Sequence, residues 1–275
     1  MANRNTLVLF LAAFLLLGGA TASASTYYIW DDWGGTWSDA EKASDNSDDD
    51  LLCWAASSSN ILEWTGWGLV SGMTNTDQMF SHFQAHFTDD GGNPYYGWDW
   101  WFDGTNDVQG SPGWAQEDVD GGGGFYPTEN INDYRRFSSA DSTALSTLDA
   151  WMKDGYGTTI SIAGNMAHSI TCWGFEMNDQ GAYTAIYVTD SDDDKGGPGN
   201  ATRPNVLQKY GVTYTSGAWY LSGGYYGTGS TNYISEVVAL KKRQTGPVVP
   251  LPSAGLMGLG LMGMLLTVRR IRRKR

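Results

Sequence analysis

The chain has 275 residues, with 30 Asp and Glu against 17 Lys and Arg and a net charge of −13. So acidic a surface repels the phosphate backbone, which excludes nucleic acid as a natural partner. The length, with an apolar content of 41%, suffices for one domain with a real core.

Residues 1–24 read as a secretory signal, with Arg4 as the positive start, LVLFLAAFLLLGG as the apolar run and Ala22-Ser23-Ala24 as the small-residue cleavage site. The working domain is expected over 25–245. Arg4 and the six basic residues after Val268 lie outside it, which leaves ten Lys and Arg facing thirty acidic residues. Tyr27 to Trp37 is aromatic and read as extended, and Ser38 to Asp50 is a polar, acidic approach to the first helix. That helix runs from Leu51 or Leu52 to about Thr65 and ends at the Gly66-Trp67-Gly68 break. In TDQMFSHFQAHF, Met79, Phe83 and Phe87 fall on one helical stripe. Residues 88–127, rich in Gly, Trp, Asp and Pro, read as long loops with short strands. Asp141 to Asp154 is a third helix, with Leu145, Leu148, Trp151 and Met152 on its buried face. After Gly155 the alternation changes to period two, in TTISIAG, AHSITCWGFE, YTAIYVTD, WYLSG and YISEVVALK. Helices first and antiparallel strands after make an α+β pattern, a helical part packed on a mostly antiparallel sheet.

Cys53 is the residue on which function turns. It stands at the start of CWAASSSNILEW, where unsatisfied N–H groups and the positive end of a helix dipole favour thiolate over thiol. His168 opens one strand and Asp190 ends the next. A hairpin around Met177 to Gln180 brings those two ends together, so the carboxylate can fix the imidazole tautomer and leave the other ring nitrogen for Cys53. A Cys53–Cys172 disulfide is the competing reading for an exported chain with two cysteines. The two readings are nearly exclusive, since four strand residues put Cys172 about 13 Å from His168 and a bridge needs Cα atoms within about 7 Å.

Two further patterns compete for chemistry. His82 and His86 have a zinc-compatible spacing, but Phe83 stands where HExxH needs Glu, and they read as surface or structural histidines. Asp190, Asp192 and Asp194 have the spacing of a calcium loop without its Gly directly after the third Asp and without its closing Glu. They read as a solvated acidic turn with one catalytic member. No metal and no organic cofactor is expected.

The blocks DDLLCWAASSSNILEW and HSITCWGFEMNDQGAYTAIYVTDSD, in this order and spacing, resemble the IdeS/Mac-type cysteine peptidases, which are papain-like in fold. The resemblance implies a papain-like α+β fold, with Cys53 as nucleophile, His168 as general base and acid, Asp190 as the orienting carboxylate and Asp192 as a supporting acid. It also implies a lysine ahead of the nucleophile that helps hold the oxyanion, for which Lys42 is the candidate. Protein is the substrate class implied. The same triad serves transglutaminases and amidases, and a non-catalytic matrix binder on the same fold is the reading from another class. At the other end, residues 246–275 hold VPLP, an apolar run reaching membrane length over 248–268, and the cluster RRIRRKR. This order resembles the VPLP-type PEP-CTERM sorting tails, which implies an exosortase as partner, a transient membrane anchor and an exported or envelope-bound product.

Overall fold

The structure, a computed structural model, describes residues 24–43, 48–105, 114–139, 142–193, 206–223 and 231–244. The signal at 1–24, apart from Ala24, and the tail at 246–275 with its membrane segment lie outside them. Among the described residues no helix is long and apolar enough to cross a membrane. Chain contacts divide the molecule into Met1–Lys242 and Arg243–Arg275.

Strand β1 (Ser25–Tyr28) leads directly into the short helix α1 (Ile29–Trp33), so the aromatic stretch from Tyr27 expected to be extended turns helical after Tyr28. Helix α2 (Cys53–Thr65) is followed by α3 (Thr76–Gln84) and α4 (Pro94–Asp103). Then come β2 (Arg135–Ser139), α5 (Ala144–Lys153), β3 (Tyr156–Ala163), β4 (His168–Met177), β5 (Tyr183–Thr189), β6 (Gln208–Thr215), β7 (Ala218–Ser222) and β8 (Tyr233–Lys241). Helix α4 corrects the expectation of loops over 88–127. Asn93 caps it by accepting from the Tyr95 N–H, Pro94 opens it, and Gly104 closes it in the left-handed region. Its tryptophans are buried, and each indole N–H has an acceptor: Ser58 O for Trp98, Glu117 Oε1 for Trp100 and Trp67 O for Trp101.

The strand architecture corrects the fold expectation outright. The papain-like layout of a helical part beside an open sheet is not found among the described residues; the strands close into an antiparallel β-barrel, with few helices. Strands pair in the order β4-β3-β8-β7-β6-β5, and β5 returns to β4, which closes a ring of six. Strand β4 makes this possible by its length of ten residues. One edge pairs with β3 through His168 to Cys172 and then with β1 through Gly174 to Met177, while the other edge takes β5 from Thr171 onward. Register shifts between Cys172 and Gly174 and between Glu176 and Met177 curl the strand, as bulges do. Gly174 lets β1 approach: a Cβ there would stand 2.3 Å from the Tyr27 carbonyl oxygen. Period-two alternation is the same in an open and a closed sheet, so the sequence pattern carried no sign of closure.

Helix α2 is buried round nearly its whole circumference and packs on β3, β4 and β8 and against α3 and α4. Its small residues Ala55, Ala56 and Ser57 to Ser59 permit that close approach. A polar seam fixes its rotation. Ser57 Oγ lies 2.9 Å from Ser169 Oγ, and Asn60 donates to Thr171 Oγ1 while accepting from the Ala40 N–H and Thr76 Oγ1. Buried polar groups joined this way specify one orientation where an apolar face alone would allow several.

Candidate active site

Helix α2 begins at Cys53, which is partly exposed while Leu52 before it and Trp54 after it are buried. Its N–H is a first-turn donor, and no backbone carbonyl among the described residues takes it. Against this tip stands the start of β4. The pairing of Thr171 with Thr189 sets the beginning of β4 beside the end of β5, as the hairpin argument requires. His168 and Asp190 therefore meet, with Nε2 donating to Oδ1 at 2.6 Å, both groups buried.

That bond occupies Nε2 and leaves Nδ1 for the thiol. Burial pushes the Cys53 thiol up, but the charge of His168, its hydrogen bond, the more distant Lys42 and a backbone bond from Ser169 outweigh it and hold the thiol below its ordinary range. Burial pulls His168 down, yet Asp190 and Cys53, by charge and by hydrogen bond, raise it well above the ordinary imidazole value. Burial likewise raises Asp190, and His168, the Asp192 N–H and Tyr210 more than reverse this. Each of the two groups thus favours the charged form of the other, over a buried carboxylate. Such a group can attack a carbonyl carbon and then return a proton to a leaving group.

Asp192 and Lys42 close the site. Lys42 Nζ lies 2.8 Å from Asp192 Oδ1 and donates to the Asp50 carbonyl at 2.5 Å, and Asp192 Oδ2 stands 3.6 Å from His168 Nδ1. All five predicted residues are therefore neighbours. Cys172 is buried, its thiol pushed up to about 12 by burial, and both cysteines are free, so the disulfide reading fails.

Sequence reasoning missed the groups that hold Asp190. Tyr210 donates to Asp190 Oδ2 at 3.2 Å and stands at the same distance from Gln208 Oε1, while Gln208 Nε2 donates to Asp193 Oδ2. Both residues sit on β6, whose alternation in QKYGVTYT could have revealed a strand but not its neighbour. On the other side, Trp173 Nε1 donates to Thr189 Oγ1, which donates to the Ser38 carbonyl. These bonds tie the approach segment to the end of β5.

Among the described residues two carboxylate groupings have the spacing of metal ligands: His168, Asp190 and Asp192, and Asp39, Glu41 and Asp193. In the first, the two carboxylates face opposite nitrogens of one ring, and the Lys42 ammonium sits on Asp192. Those groups neutralise one another as an ion-pair network. The two histidines at zinc-compatible spacing, read as surface or structural, lie elsewhere: His82 Nε2 contacts Gly122 O at 2.8 Å and His86 Nδ1 contacts His82 O at 2.7 Å, within a stack of aromatic rings. They serve packing.

No curated protein matches the chain. A family model described as Mac 1 matches residues 133–217, which include His168, Asp190, Asp192 and Tyr210 but neither Cys53 nor Lys42. Over that stretch, from β2 to the turn after β6, the chain is similar to the Mac 1 family, the group of peptidases that its motifs resemble.

Proposed function

We propose that this protein is a cysteine endopeptidase of the IdeS/Mac type that hydrolyses peptide bonds in a protein substrate. The observation that carries the reading is Cys53 at a helix tip facing an imidazole whose far nitrogen is 2.6 Å from a buried carboxylate. Cys53 is the nucleophile, His168 the base and acid, and Asp190 the orienting group. The thiolate adds to the peptide carbonyl, and the Cys53 N–H and the Lys42 ammonium stabilise the resulting oxyanion. His168 delivers its proton to the leaving amine as the C–N bond breaks, which leaves a thioester. Water, deprotonated by the same ring, then adds to the thioester; the C–S bond breaks, the acid product leaves and the Cys53 thiolate is restored beside the protonated ring. Asp192 holds Lys42 in place. Export and sorting through the VPLP tail to the envelope or matrix, with the tail removed by an exosortase, belong to the same proposal.

The test is alkylation of Cys53 by iodoacetamide at pH 6, together with cleavage of unfolded casein by the whole chain. Rapid labelling and proteolysis, both lost in Cys53→Ala, are expected. A thiol no faster than free cysteine, with no cleavage, would overturn the reading in favour of a matrix binder. Incorporation of an amine in place of hydrolysis would overturn it in favour of an acyl transferase.

A further inference from the structure

A row of side chains runs away from the Cys53 sulfur across four strands. Ser169 on β4 pairs with Ser161 on β3, Ser161 with Glu236 on β8, and Glu236 with Ser139 on β2. Residues paired in this way point to one face of a sheet. At its inner end the row lies under the start of α2, where Ser169 Oγ meets Ser57 Oγ and the Ser169 backbone bonds the Cys53 thiol. Exposure grows outward, from buried Ser169 through half-buried Ser161 and Glu236 to exposed Ser139. Neighbouring strands stand about 4.8 Å apart, so Glu236 lies about 10 Å from the strand that opens with His168.

The Glu236 carboxylate is held in place by neutral groups. The register of β3 against β8 shifts between Ser161 and Ile162, beside Glu236, and a bulge re-aims the side chains next to it. Asn93, buried at the start of α4, donates from Nδ2 to Glu236 Oε2 at 2.7 Å while its Oδ1 caps the Tyr95 N–H. Ser161 Oγ donates to the same oxygen at 3.3 Å. Among the described residues no Lys, Arg or His pairs with Glu236, and no group donates to Oε1. Arg135, stacked on the Tyr95 ring, is engaged by Asp99. A carboxylate fixed in direction, with one oxygen open and no counter-charge, is a receptor for a cationic donor. Exposed Phe137 lies two residues before Ser139 on the same face of β2, with its ring centroid 6.0 Å from that of Tyr95. Those rings offer an apolar wall to the methylene stem of a long basic side chain.

We infer that this row is a substrate subsite in which Glu236 selects a lysine or arginine within two residues of the scissile bond. An extended peptide advances about 3.3 Å per residue, so two residues and a long side chain cover the separation between Cys53 and Glu236. The net charge of −13 draws basic segments toward the same surface. The position of the cut rests on the proposed peptidase reading; recognition of a basic side chain by Glu236 does not.

The test has two arms. In the first, the whole chain digests a proteome-derived peptide mixture and mass spectrometry reads the residues around each cut. Lys and Arg are expected to exceed Asp and Glu at one position within two residues of the cut by at least about tenfold. That ratio is expected to fall toward one in Glu236→Gln, which keeps an acceptor for Asn93, and to reverse in Glu236→Lys. Either variant decides if the other misfolds. In the second arm, the Cys53→Ala chain is applied to arrayed Ala/Gly peptides carrying one Arg, citrulline or Glu. Retention on the Arg peptides over their citrulline twins is expected, and it is expected to be lost when Glu236→Gln is added. Cleavage without basic preference, or a preference that survives in both variants, would overturn the subsite and leave the peptidase reading standing. Glu236-dependent retention with no cleavage would keep the subsite and sink the peptidase reading; neither cleavage nor retention would overturn both. Retention undiminished by Glu236→Gln would reduce Glu236 to a tie between α4 and β8 and would overturn the proposal.

Discussion

Cys53 and Cys172 carry the same side chain into opposite electrostatic settings. Cys53 begins a helix beside the His168 ring, with Lys42 within electrostatic reach, and its thiol is held below its ordinary range. Cys172 lies inside β4, bonded to the Gly174 carbonyl, and burial lifts its thiol to about 12. Burial acts on both in the same direction. The difference is the nearby positive charge, which favours the thiolate at one sulfur and leaves the other a small apolar group. The histidines repeat the lesson. Burial lowers both His168 and His82, but only His168 has a carboxylate to reverse it, and His82 stays below its ordinary value among aromatic rings.

Substitutions can break this contrast, and removal of the reactive pair comes first. Cys53→Ala and His168→Ala are each expected to lower kcat/KM by at least about 10³-fold, and the double variant is expected to be little worse, since the two act as a unit. Asp190→Asn comes next, at about 10²- to 10⁴-fold, because the amide can present the wrong hydrogen bond to Nε2. Iodoacetamide labelling of Cys53 at pH 6 is expected to slow in that variant, as the imidazolium loses its counter-charge. Labelling still at the native rate would show that the helix tip alone activates the thiol.

The pH profile sharpens the same point. Cys53 loses its proton below the ordinary 9.0 and His168 keeps its proton above the ordinary 6.5, so the ion pair exists between those two events. Cleavage is expected to rise through the depressed thiol pKa and to fall as pH climbs through the raised imidazole pKa. For stability, His168 has its folded-state pKa raised, so its contribution is complete below 6.5 and is lost as pH rises through the folded value. Asp190 has its own lowered, and its contribution is lost only as pH falls through a value beneath the ordinary 3.8. Chemical unfolding at a series of pH values checks both signs.

Smaller effects follow at the supports. Tyr210→Phe removes one hydrogen bond to Asp190 and is expected to cost about 1 kcal/mol of stability with a several-fold loss of kcat. Cys172→Ala is expected to lose about 1–2 kcal/mol from the cavity it leaves while retaining native activity. Cys172 itself is expected to react with iodoacetamide only after unfolding, a result that mass spectrometry of the labelled peptides would read.

Much of this was legible in the residues. Helix α2, the hairpin of β4 and β5 and the meeting of His168 with Asp190 follow from local periodicity and from the antiparallel rule that joins the far ends of a hairpin. Helix α4 was hidden, because PYYGWDWWFD is so uniformly aromatic that no polar face marks a helical period. Gly97 added to the disguise, yet it is required for packing: a Cβ there would stand 2.9 Å from the Trp54 ring. Tyr210 was hidden for another reason. It is distant in sequence from the groups it serves and reaches them only through strand pairing.

By itself the sequence determined which side chains were chemically capable, since a thiol at a helix start and an imidazole at a strand start are set by short-range backbone order. Closure of the barrel, the positions of Tyr210 and Gln208 behind Asp190, and the gathering of Asp39, Glu41 and Asp193 were decided only in the tertiary structure. Those depend on which strand edges meet and on which carboxylates lose their water. Neither is a property of any one segment, because burial and pairing arise only when the segments pack together.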